Sequence, residues 1–65
     1  MNKKKAAYQK LLQTSPEAAA SIETMAASGW SPPNIIHLLK QQYPSRVARL
    51  IAPALDYITT APQTN

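Results

Sequence analysis

Asn34, His37 and Gln41 stand three and seven residues apart, a spacing that sets three hydrogen-bonding side chains along one face of a helix. The two amides each offer a donor beside an acceptor, and the imidazole offers one of each, so the trio can meet another hydrogen-bonding edge or simply face water. The other groups suited to binding are cationic: Lys3, Lys4, Lys5, Lys10, Lys40, Arg46 and Arg49. Lysine is a point charge and arginine a planar fork of donors, and both suit phosphate oxygens. Against them stand only Glu17, Glu23 and Asp56. Glu17 and Glu23 are six apart and share a helix face poorly, so no carboxylate pair forms for acid–base work. With one histidine, one glycine and no cysteine, the chain has no nucleophile beside a base, no glycine-rich phosphate loop and no set of metal ligands. The expectation is a non-enzymatic protein with no cofactor, no metal and no small-molecule substrate.

Length and charge set the remaining bounds. A chain of 65 residues makes one small domain, 1–65, and at that size buries only about 60% of the surface its unfolded form exposes. Neither disulfides nor a metal can supplement so thin a core, which leaves self-association, as a homodimer, as the expected supplement. No apolar run approaches the roughly 20 residues of a membrane span. Lys3, Lys4 and Lys5 are followed by Ala6, Ala7, Tyr8, Gln9 and Lys10, which is not the apolar core of a secretory signal, so a cytoplasmic location is expected. The formal charge of +4 is unevenly spread. Four lysines fall in the first ten residues, 11–39 holds two glutamates and no cation, and the remainder sets Lys40, Arg46 and Arg49 against Asp56. The basic charge therefore sits at the two ends of the chain.

The elements that must position these groups are all helical. A first helix runs from Lys3 to Gln13, with Tyr8, Leu11 and Leu12 on one side and lysines on the other. Thr14, Ser15 and Pro16 start the second in one of two registers: Ser15 as N-cap with Pro16 at the first helical position, or Thr14 as N-cap with Glu17 completing a capping box. Alanines, Ile22, Met25 and Ala26 fill this helix, and Gly29 ends it as a left-handed cap. Ser31 and Pro32 start a third helix that runs to Gln42, with Ile35, Ile36, Leu38 and Leu39 forming an apolar face wider than one thin core obviously absorbs. Tyr43 and Pro44 stop it, and Ser45 caps a fourth. There Val47, Leu50, Ile51, Ala54, Leu55 and Ile58 fall at helical spacing through Pro53, which predicts one helix kinked at that proline with the ring toward solvent. Residues 1–5 and 60–65 are expected to be flexible. No stretch alternates with period two. The fold class is all-α, a small bundle of four short helices with a helix-turn-helix-like corner from Gly29 to Pro32.

That corner resembles a helix-turn-helix motif locally, over about 22 residues, with Ile22, Met25, Gly29, Trp30, Ile35 and Leu38 at positions that favour small or apolar side chains. The resemblance implies a small DNA-binding protein, a regulator or accessory factor of a prokaryote, phage or plasmid acting as a homodimer on double-stranded DNA. Asn34, His37 and Gln41 would read bases, while Lys3, Lys4, Lys5 and Lys10, as a basic arm, and Lys40, Arg46 and Arg49, as a patch, would hold phosphates. The motif departs from the pattern in two ways: Met25 stands where alanine is usual, and two prolines open the would-be recognition helix. It also carries net negative charge up to Leu39, so the phosphate grip must come from outside it. Arg46 and Arg49 are the most telling cations, because they fall in the opening turns of the fourth helix, where the dipole disfavours positive charge unless an anion shares the site. The alternative is a helical protein-interaction module, an inhibitor or adaptor docking through Trp30, Ile36, Leu39 and Tyr43. For Trp30 the ordinary role is a corner residue capping the interior, and an exposed interface anchor is the other.

Overall fold

The computed structural model describes residues 2–60. Four helices follow in order, α1 Lys3–Thr14, α2 Pro16–Ala27, α3 Pro32–Gln42 and α4 Ser45–Thr60, and no strand occurs among the described residues. The tail after Thr60, expected to fray, lies outside them.

Each boundary has a local cause. Asn2 accepts hydrogen bonds from the backbone N–H groups of Lys4 and Lys5 at 3.0 and 3.1 Å, so Lys3, Lys4 and Lys5 form the capped first turn of α1. Ser15 serves two helices: its N–H donates to the Leu11 carbonyl at 2.7 Å, and its hydroxyl accepts from the Ala18 N–H at 3.4 Å. This selects the Ser15–Pro16 register and leaves Thr14 as the last residue of α1. At the end of α2, Gly29 has φ 93°. Its N–H donates to Ala26 and the Trp30 N–H donates to Met25, both at 3.1 Å. Those are the paired bonds of a Schellman motif, which requires a left-handed residue at this point. Pro32 and Pro33 then open α3, where missing N–H groups cost nothing, since helical donors there lack partners in any case. Tyr43, held extended ahead of Pro44, closes it. Ser45 is the first residue of α4 and not its cap. The Pro44 carbonyl takes the N–H groups of Val47 and Ala48 at 2.9 and 2.8 Å, because proline lacks a donor but keeps its acceptor.

The core is Leu11 from α1, Ala18, Ala19 and Ile22 from α2, Ile35 and Leu39 from α3, and Val47, Ile51, Ala54 and Leu55 from α4. Alanine at three of these sites removes side-chain bulk and lets the helices approach closely. Helix α4 packs against each of the other three. Helix α1 runs antiparallel to it, since Lys4 pairs with Asp56 near one end while Lys10 and Thr14 lie beside Arg46 and Leu50 at the other. Helix α4 continues through Pro53 as one helix, as its periodicity predicts. The ring does not project freely into water, however; Pro53 is half-buried. Helix α1 covers that side of α4, where Tyr57 meets Tyr8 with ring centroids 5.6 Å apart.

Helix α3 also differs from expectation. Leu39, expected at a docking face, is buried to 1% exposure, and Ile35 is buried completely, while Ile36 and Leu38 are half-buried. Flanked by α2 and α4, the helix tucks its wide apolar face into the domain.

Truncating Leu39 to alanine is expected to cost about 2–5 kcal/mol, comparable with the roughly 3–5 kcal/mol that a core this small supplies. Urea unfolding will show the variant largely unfolded, whereas Leu12→Ala, at a site 42% exposed, will stay within about 1 kcal/mol of the parent. Gly29→Ala meets no atom within 4 Å of the added Cβ, so its cost is purely conformational. Thermal unfolding will show a loss of about 1–2 kcal/mol from the left-handed backbone.

Candidate nucleic-acid interface

Antiparallel docking of α1 on α4 brings together charges that the sequence keeps far apart. Lys10, Thr14, Arg46, Arg49 and Leu50 line one shallow hollow of about 250 Å³. Arg49 also lines a second hollow of about 300 Å³ with Ile36, Lys40, Ser45, Ala48 and Ala52. Four cations from three helices thus lie on one face, with Arg49 between Lys10 on one side and Lys40 on the other. All four are exposed. Among the described residues no carboxylate lies within salt-bridge distance of any of them; the pair found is Lys4 with Asp56, 2.6 Å apart. Leu50 in the first hollow and Ile36, Ala48 and Ala52 in the second add apolar lining.

The other lysines take different places. Lys3 and Lys10 are seven apart and share a face of α1, separated by about 10 Å along its axis at 1.5 Å per residue. Lys4 is engaged with Asp56, and because both side chains are about half exposed, 54% and 45%, the pair is screened and weak. Lys5 is exposed in the same first turn. The basic segment therefore belongs to a helix that is fixed at Leu11, and it divides into a pair-forming N-terminal turn and Lys10 in the cluster.

Asn34, His37 and Gln41 are all exposed along α3, as their spacing requires. Gln41 Nε2 and His37 Nε2 lie 3.2 Å apart, so in the free protein the two side chains satisfy each other. Lys40 flanks this stripe on the side toward α4. The polar face of α3 and the cationic face of α4 are therefore neighbours.

Trp30 is 47% exposed and does not cap the interior. The Schellman turn carries the chain outward at that point, and Met25 packs against the core below it. Tyr43 and Ile36 are half-buried against the core, and Leu39 is enclosed within it. These four do not form one exposed surface.

Sequence reasoning passed over the groups that hold α1 in place. The Tyr8 hydroxyl donates to the Glu23 carboxylate of α2, while its ring meets Tyr57 of α4. A signal for this was available: Leu50, Pro53 and Tyr57 recur at i, i+3 and i+7 beside the main stripe of α4 and form a second apolar strip that needs a partner. Among the described residues no group of three or more metal-ligating side chains comes together, and no helix is long and apolar enough to cross a membrane.

Gathering Lys10, Arg46 and Arg49 has an electrostatic cost that the free protein carries. Arg46→Gln, in the first turn of α4, is expected to raise stability by about 0.3–1 kcal/mol at low ionic strength, through relief of repulsion and of the unfavourable helix dipole. The gain will shrink toward zero at about 1 M salt, where screening reaches only about 3 Å. Thermal unfolding at the two ionic strengths measures both.

Compared with known proteins, the chain matches no family model, no curated protein and no solved structure.

Proposed function

We propose that this chain is a small, non-catalytic DNA-binding protein that grips phosphates through Lys10, Lys40, Arg46 and Arg49 and presents Asn34, His37 and Gln41 to base edges. The observation that carries this reading is the convergence of four exposed cations from α1, α3 and α4 on one face, with no carboxylate of the described residues within salt-bridge distance of them. Such a face attracts a polyanion at long range and exchanges condensed counterions for its own charges on binding. Lys3, on the same side of α1 as Lys10, extends the face, while Lys4 and Lys5 add to the general attraction. The stripe on α3 adjoins Lys40, so a backbone held by the cations passes close to side chains suited to a hydrogen-bond edge. His37 and Gln41 exchange their mutual hydrogen bond for bonds to bases in that step.

The competing reading, docking of a partner protein through Trp30, Ile36, Leu39 and Tyr43, keeps an exposed Trp30 but loses Leu39, which is used inside the domain. A homodimer, of cytoplasmic and prokaryotic or phage origin, remains part of the proposal, since two copies double the phosphates held and match the two-fold symmetry of paired DNA half-sites.

Titrating labelled duplex DNA at two salt concentrations, alongside a measurement of mass in solution, tests the proposal. Affinity is expected to fall steeply with salt. In the double variant R46A/R49A the slope of log affinity against log salt should flatten by about 0.9 for each phosphate that the protein no longer neutralises. No binding at low salt overturns the reading.

A further inference from the structure

We propose that Lys10, Arg46 and Arg49 form a discrete seat for a single phosphate group across the seam between α1 and α4, and that filling it locks α1 onto the domain. The inference rests on the same basic face as the nucleic-acid reading and adds a particular site and a mechanical consequence.

The seat is built from both sides of the seam. Helix α1 contributes Lys10 and Thr14 near its C-terminal end, and α4 contributes Arg46 and Arg49 from its first turns. Leu50 adds apolar lining to the hollow of about 250 Å³. A tetrahedral oxyanion there meets one ammonium and two guanidinium groups, with the Thr14 hydroxyl within the same lining. Arginine forks and a lysine point charge are the donors that such oxygens favour. Arg46 also stands in the first turn of α4, where the helix dipole disfavours it in the free protein and favours any anion it holds.

The mechanical consequence follows from how unevenly α1 is held. Its N-terminal half is tied by Tyr8 to Glu23 and Tyr57 and by Lys4 to Asp56, and Leu11 is buried in the core. On either side of Leu11, Lys10 and Thr14 lie beside two arginines of α4 that repel Lys10. A phosphate between them reverses the sign of that interaction and turns a repulsive part of the seam into a bridge. Binding to the folded state alone then stabilises it in proportion to occupancy.

The test uses the full chain at constant ionic strength, with sodium chloride replaced by sodium phosphate. Phosphate stabilises many proteins without binding to a site, so the decisive quantity is the difference between the parent and the variants Lys10→Gln and Arg49→Gln. A rise in midpoint about 5 °C larger in the parent, together with amide exchange slowed at Leu12, Gln13 and Thr14 more than in α3, is the expected result. Equal rises in parent and variants overturn the seat, and uniform slowing of exchange overturns the lock. Thr24→Ala, exposed on α2 and outside the hollow, is expected to behave as the parent does, and loss of the effect in it also counts against the seat. A second arm replaces phosphate with a short DNA duplex. Seat-dependent protection of α1 by duplex identifies the ligand as a nucleic-acid phosphodiester. Protection by phosphate with no binding of duplex supports the seat while removing the nucleic-acid reading.

Discussion

Burial of one apolar stripe on α4 is the constraint on which the rest of the molecule depends. Ile51, Ala54 and Leu55 are almost fully removed from water, and each of the other helices packs against the helix that carries them. In a domain this small, apolar burial is the only term large enough to offset the entropy of ordering the chain. A helix that shares its apolar surface among three neighbours therefore sets where they lie. The result is a thin body, 34 × 25 × 16 Å, whose shortest dimension is less than two helix diameters. Thinness has a consequence for electrostatics: the polar ridge of α4 stays at the surface, with Arg49 exposed between α1 and α3.

The three acidic residues are placed where they support the fold. Glu17 stands in the first turn of α2, where a negative charge is favoured by the helix dipole. Glu23 accepts the Tyr8 hydroxyl and Asp56 pairs with Lys4, so both hold α1 against its neighbours. Lys10, Lys40, Arg46 and Arg49 are consequently left on one face with no carboxylate of the described residues paired to them. The proposed phosphate grip follows from this division more than from the modest net charge. A chain with the same composition but its acids on the ridge of α4 would present no such face.

The corner between α2 and α3 has a narrower role than its resemblance to a helix-turn-helix motif implies. Gly29 and the Schellman bonds reverse the chain, the two prolines restart it, and α3 is delivered with Ile35 and Leu39 inward and its polar stripe outward. Trp30 is exposed at the turn, while Met25 packs against the core. Apart from Lys40 on α3 itself, the positive charge that would accompany the stripe comes from α4 and α1, elements outside the corner.

Local chemistry alone determined the number of helices and nearly all their limits. Serine–proline starts, a glycine stop and the 3.6-residue period act within a few residues of one another, so Gly29, Pro16 and the stripe from Val47 to Ile58 could be read directly. Where two local signals competed, as at Thr14 and Ser15, or where a carbonyl did the work of a side chain, as at Pro44, the sequence left the register open or misplaced it by one residue. Exposure of Asn34, His37 and Gln41 was legible because the opposite face of α3 is apolar. Tertiary structure decided which partner each helix face meets. The second strip on α4, Leu50, Pro53 and Tyr57, receives α1, and only that docking puts Lys10 beside Arg46 and Arg49, 36 and 39 positions away along the chain. It likewise took Leu39 inside and left Trp30 out. Helical periodicity states which side of a helix avoids water, but the choice of what covers it is made by packing between segments distant in sequence, and the candidate phosphate site is a product of that choice.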